Sequence, residues 1–133
     1  MKIFILAMLA LFCATACKKN MPLLNTINAK WEVRRVYNGN IYPPDSVYKP
    51  GNGNILQFKT DSTYQRYAHG TITATGAYHI RKNGYKLNQN YYDKLYLGAD
   101  TTFKWFINIT GDKMTLKPLM PDLPTTDYQK LTN

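Results

Sequence analysis

From residue 31 onward, apolar and polar positions alternate in runs of five to nine, separated by clusters of Gly, Pro, Asn and Asp. A period of two puts successive side chains on opposite faces of an extended strand, whereas a helix needs a period near 3.6. The first run is 31–38. A long loop at 40–54 follows, holding Pro43-Pro44-Asp45 and Gly51-Asn52-Gly53. Runs 54–59 and 63–69 flank the turn Thr60-Asp61-Ser62. In run 71–82, Ile72, Ala74, Gly76, Tyr78 and Ile80 share one face. Asn83-Gly84 is a two-residue hairpin signal, because a type I′ turn needs positive φ at both central positions. It predicts a turn into a short strand at 85–88, with a weaker run at 92–97. Run 102–110 puts Phe103, Trp105, Ile107 and Ile109 on one face. Thr110-Gly111-Asp112 then turns it into 113–117, with Met114 and Leu116. Pro118, Pro121 and Pro124 precede the last run, 126–131. No window longer than ten residues here carries the helical period. The pattern predicts an all-β domain, an antiparallel meander of eight or nine strands. Closure into a barrel hides both edges of a meander, so the first run is expected to pair with the last. A sandwich needs crossovers between sheets, and only 40–54 and 118–125 are long enough to supply one.

The first seventeen residues follow another rule. Met1-Lys2 is a short positive start, and residues 3–16 are an uncharged apolar run. That is the layout of a secretory signal peptide, too short to span a bilayer. It ends Ala14-Thr15-Ala16-Cys17 before Lys18-Lys19-Asn20, and this resembles the lipobox of bacterial lipoproteins. The resemblance implies cleavage before Cys17, diacylglyceration of its thiol and acylation of the new N-terminus. An ordinary signal peptide with an incidental Cys is the weaker reading, and Cys13 is a poor rival because bulky Phe12 precedes it. The expected organisation is a signal peptide at 1–16, a flexible tether at 17–29 and the barrel at 30–133. The Asn-rich stretch from Lys18 to Ala29 is about 12 residues long and reaches about 40 Å when extended.

Composition narrows the function without naming it. With 17 Lys+Arg and 8 Asp+Glu the net charge is +9. Basic residues are nevertheless scattered in runs no longer than two, which fits a solvated surface, and export makes nucleic acid an improbable partner. Two cysteines cannot build a disulfide scaffold or a multi-Cys zinc site. Ser46 and Ser62 each follow an Asp in a turn-like setting and lack a nucleophile elbow. His69 and His79 are two histidines where a catalytic zinc needs three protein ligands, and they fall far apart on adjacent strands. Six of the seven Asp residues adjoin Pro, Gly, Ser or Thr in apparent turns, and Glu32 is the only Glu, a poor basis for paired-carboxylate catalysis. No enzymatic activity and no cofactor are expected.

Five segments then occur in a particular order: Ala29-Lys30-Trp31, residues 56–64, Thr75-Gly76-Ala77-Tyr78-His79-Ile80, residues 106–116 and Asp127-Tyr128-Gln129-Lys130. Their succession resembles the small lipocalin-like domains of Bacteroidetes lipoproteins over nearly all of 29–131. The resemblance implies a calycin-type barrel closed near Trp31, with Lys130 in the place of the family's closing Arg and stacked on Trp31 as a cation–π pair. Alternation within three strands turns Tyr64, Arg66, Tyr78, Trp105 and Ile107 inward, as the candidate lining of a small amphipathic-ligand site. Arg66 would supply the charge for a carboxylate or phosphate; the plainer reading is a bulge in this strand, or a place for Arg66 in water at the open end. The expectation is a monomeric, non-enzymatic envelope lipoprotein, held in the outer membrane by acyl chains on Cys17, periplasmic face favoured. A protein–protein interaction or inhibitor module of the envelope is the alternative.

Overall fold

The computed structural model describes residues 26–38, 44–87, 90–99, 104–120 and 122–132. Nine strands run β1 Lys30–Tyr37, β2 Ser46–Val47, β3 Ile55–Phe58, β4 Thr63–Ala68, β5 Thr71–Leu87, β6 Asn90–Leu97, β7 Lys104–Thr110, β8 Lys113–Pro118 and β9 Thr125–Lys130. All neighbours are antiparallel, in the order β2-β1-β3-β4-β5-β6-β7-β8-β9, and β1 also pairs β9. That last ladder runs from Trp31↔Lys130 to Tyr37↔Thr125, with a register shift between Val33 and Arg35. Eight strands therefore close into a barrel. The short β2 takes over the edge of β1 from β3, at Arg35↔Val47 and Val36↔Ser46.

Period-two alternation decides what lies inside. Ile27, Trp31, Leu56, Phe58, Tyr64, Tyr78, Leu95, Ile107, Met114 and Leu116 form one buried cluster drawn from almost every wall strand. Gly76 stands opposite Tyr64, and a Cβ there would meet the Tyr64 ring at 3.1 Å, so its missing side chain makes room for the phenol. Outward positions of β5, Thr73, Thr75, His79 and Arg81, are polar and exposed. An apolar interior with a polar exterior is the reverse of a lipid-embedded barrel.

Connections alternate between two ends. The start of β1, the turn after β3, the turn after β7 and the end of β9 lie at one end. The 38–54 connection, the turn at His69-Gly70 and the β8–β9 connection lie at the other.

Three expectations are corrected. Asn83-Gly84 does not reverse the chain: β5 runs on to Leu87 through an irregularity between Arg81 and Tyr85, gaining Tyr85↔Tyr92, Lys86↔Tyr91 and Leu87↔Asn90. The 40–54 loop contains β2. Ile27, which the pattern leaves in the tether, is 0% exposed in the core, so the fold begins before Lys30.

Candidate functional site

One end is sealed. Trp31 is 0% exposed, and its indole Nε1–H donates to Ile27 O at 2.8 Å, fixing the preceding helical turn beneath the barrel. The Tyr78 hydroxyl lies 3.0 Å from Asn28 Oδ1 and 3.2 Å from Lys59 O, tying that turn to the β3–β4 connection. Burial, and secondarily the Asp61 carboxylate, push the Tyr78 phenol above its ordinary value, so it stays a donor. The Phe58 ring packs edge-on at 4.9 Å between centroids.

At the other end is a cavity of about 300 Å³, lined among others by Val33, Val36, Tyr48, Arg66, Tyr67, Trp105, Thr126 and Tyr128. This is at the lower limit of small-molecule sites, which span about 300–1,000 Å³. Among the described residues, Arg66 is the only charged one of that lining, and no acid lines it. The two ion pairs among the described residues are Arg34–Glu32 and Arg35–Asp45, so the Arg66 guanidinium has no carboxylate partner among them. Tyr128 stands nearby, partly buried against the core. Loss of solvation pushes its phenol up to about 12, although the Arg66 charge and a Thr126 hydrogen bond pull the other way. The wall therefore offers a guanidinium and a permanently protonated phenol, both donors, in a largely apolar and aromatic lining that also holds Asn54 and Thr126.

The sequence-predicted residues separate by depth. Arg66 and Trp105 line the cavity. Tyr64, Tyr78 and Ile107 turn inward as well, but all three are buried in the core and none of them lines it. Tyr128, Thr126 and Tyr67 do line it and were not singled out. The first two were open to the same reasoning, because stepping back by two from inward Lys130 gives 128 and 126. Trp31 and Lys130 pair directly across the closing ladder. No cation–π contact joins them among the described residues; the recorded one is Arg35 over Tyr37 at 4.3 Å. Lys130 instead lines a groove at the sealed end. His69, in the tight β4–β5 turn at φ +49, is exposed, and exposed His79 lies 6.0 Å from the Tyr96 ring. Cys17 lies outside the described residues.

One buried group escaped the pattern altogether. Glu32 faces outward, yet it is 2% exposed because the 48–54 segment folds over it. Its carboxylate accepts from Gly51 N at 3.1 Å, Gly53 N at 3.3 Å and Arg34 Nη1. Burial pushes the carboxyl up, but those hydrogen bonds and the Arg34 charge outweigh it and hold it below the usual range. Asn52 fixes the segment by donating to Val33 O at 2.9 Å and Lys49 O at 2.7 Å. This pad braces the strand behind the cavity wall.

Fold and site define a class: an all-β, eight-stranded antiparallel meander barrel with one extra strand, consistent with the calycin type, sealed at one end and hollow at the other. No protein-family model matches the chain, and neither does a curated protein or a solved structure.

Proposed function

We propose that the protein is a lipocalin-like envelope lipoprotein that binds a small, singly anionic amphipathic molecule at the open end of its barrel. The supporting observation is a largely apolar and aromatic cavity beside an Arg66 guanidinium that pairs with no acid among the described residues. Arg66 is exposed at the cavity mouth, where water solvates it, and a carboxylate or phosphate monoester would replace that water with a charge-assisted hydrogen bond. The apolar tail would lie against Trp105, Val36 and Tyr128. Anchoring in the outer membrane through acyl chains on Cys17, on the periplasmic side, rests on the sequence resemblance alone.

The test is quenching of Trp105 fluorescence, with Trp105→Phe identifying the responding ring. Short and medium-chain fatty acids and alkyl phosphates should bind more tightly than alcohols of equal length. Arg66→Ala should erase that preference, a loss of tenfold or more, because hydrogen bonds to charged groups contribute about 1.5–3 kcal/mol. Absence of a response to every acid would remove the proposal. A second reading, an interaction module, is favoured by one observation. Exposed Val47, Ile72, Leu119 and Met120 all lie at the open end. In that case a partner protein covers the rim, and Leu119→Ser/Met120→Ser disrupts the complex while leaving any small-molecule response unchanged.

A further inference from the structure

The sealed end carries a second concavity, a groove of about 770 Å³. It crosses the edge of three adjacent strands, β9, β1 and β3, and each brings one lysine to it. Lys130 ends β9, Lys30 opens β1 and Lys59 directly follows β3. Backbone hydrogen bonds hold these ends in a row: Phe58 N donates to Ala29 O at 3.0 Å, and Leu131 N to Lys30 O at 2.8 Å. None of the three lysines belongs to either ion pair among the described residues. The acid in the lining, Asp61, is directed at its own turn, where it accepts from Thr63 N at 3.0 Å and Thr63 Oγ1 at 2.6 Å. Among the described lining residues, three ammonium groups against one carboxylate leave this groove at +2.

The chain leading to Cys17 joins the barrel at the same end. Only eight residues lie between Cys17 and Thr26, where the described fold begins, and nine steps of about 3.3 Å span at most about 30 Å. We propose that the Lys30–Lys59–Lys130 groove docks the barrel, sealed end down, on the phosphate headgroups of an anionic bilayer. The inference rests on the anchoring reading, in which acyl chains bring this end to the membrane surface and basic residues then add a second attachment. It goes beyond that reading by fixing an orientation: the cavity mouth faces away from the lipid, and its ligand arrives from the aqueous side.

The experiment uses the chain from residue 18 onward, which holds every strand and the whole described core and has no cysteine. It is co-sedimented with phosphatidylcholine vesicles, with and without phosphatidylglycerol. Binding is expected only with the anionic lipid and should weaken as salt rises. Lys30→Gln/Lys59→Gln/Lys130→Gln should lower partitioning on the order of a hundredfold, from about 1 kcal/mol per basic residue near such a surface. Lys49→Gln/Lys94→Gln/Lys117→Gln removes the same charge elsewhere and should cost several-fold at most. Exposed Lys30→Gln alone, expected to cost about fivefold, serves if the triple variant misfolds. An environment-sensitive label on Thr60→Cys, at the sealed end, should shift to the blue on vesicles, and one on Thr71→Cys, at the open end, should not. Equal losses for the two triple variants, no binding to anionic vesicles, or a shift at Thr71→Cys would overturn the proposal. Because this chain lacks Cys17, the outcome is independent of acylation, which mass spectrometry of the envelope-extracted full-length protein reads separately.

Discussion

Replacing Glu32 by Ala should cost about 3 kcal/mol at neutral pH, more than any exposed acid of this chain. The substitution strands three donors at once: the N–H groups of Gly51 and Gly53 and the guanidinium of Arg34. Removing one partner of a buried ion pair costs about 3–5 kcal/mol. Here the Arg34 side chain is 26% exposed, so water recovers part of its loss and the value falls at the lower limit. For a domain of this size about 4 °C accompanies each kcal/mol, giving a melting point lower by about 12 °C. The acid limb supplies an independent check. The contacts hold the folded carboxyl below its ordinary value, so its contribution is fully present above the unfolded pKa of about 4.3 and disappears as pH falls through the lower folded value. The gap between wild type and Glu32→Ala in urea melts should therefore be constant from neutral pH down to about 4.3 and shrink below it. A neutral-pH difference under about 0.5 kcal/mol, the range of ordinary surface substitutions, would refute the reasoning. So would a gap that widens on acidification.

Gly53 has φ +73, and a Cβ there would lie 2.8 Å from Gly70 N, so Gly53→Ala should lose about 1–3 kcal/mol in thermal melts. Gly111→Ala shares the positive φ but meets nothing within 4 Å, so it should lose only about 1 kcal/mol; equal losses would show that the contact with the His69-Gly70 turn is unimportant. Deleting residues 125–133 removes β9 and opens the barrel between β1 and β8, so cooperative unfolding should vanish; a melt near that of the full chain would mean that closure contributes nothing. Cys17→Ser should abolish incorporation of a fatty-acid analogue during growth, and label retained at the wild-type level would dispose of the lipid anchor.

The strands were legible because a half-buried strand writes a period of two into its own residues. Phe58 and Leu56, or Met114 and Leu116, declare their face with no knowledge of their neighbours. What period two does not distinguish is a turn from a bulge. Asn83-Gly84 satisfied the hairpin rule locally, but continuing the strand past it gives three more pairs with β6, and a bulge absorbs the extra residues without reversing the chain. β2 was invisible for a simpler reason: two residues carry no period, and Ser46–Val47 is a strand only because β1 leaves that stretch of its edge unpaired beyond β3. Glu32 shows the same dependence on distant chain. At an outward position a lone carboxylate looks like a surface acid, and it becomes buried only because Gly51 to Gly53, some 20 residues on, bring their amides over it.

Depth along the barrel axis is the remaining quantity that alternation omits. Tyr64 and Arg66 occupy equivalent positions of one strand, both inward, yet one packs against Gly76 in the core and the other stands at the rim of the cavity. The height of each is set by the stagger of eight tilted strands, a collective property that no single strand encodes. The same stagger separates Tyr78, bonded to Asn28 under the floor, from Trp105 at the open end, although the alternation rule treats the two rings alike. Alternation turned Arg66 inward and left open a bulge or a place in water at the open end; the side chain is exposed there, beside a register shift between Arg66 and Tyr67, and its accessibility is what makes a ligand conceivable. A guanidinium at the depth of Tyr64 would need a structural acid, whereas at the mouth water satisfies it until an anion arrives. Sealing follows from sequence in one respect only: Trp31 is large enough to close an eight-stranded interior, and its indole N–H finds Ile27 O within the few residues that precede it. Local chain at one terminus can therefore build a floor, while the open end, assembled from connections far apart in sequence, is left hollow.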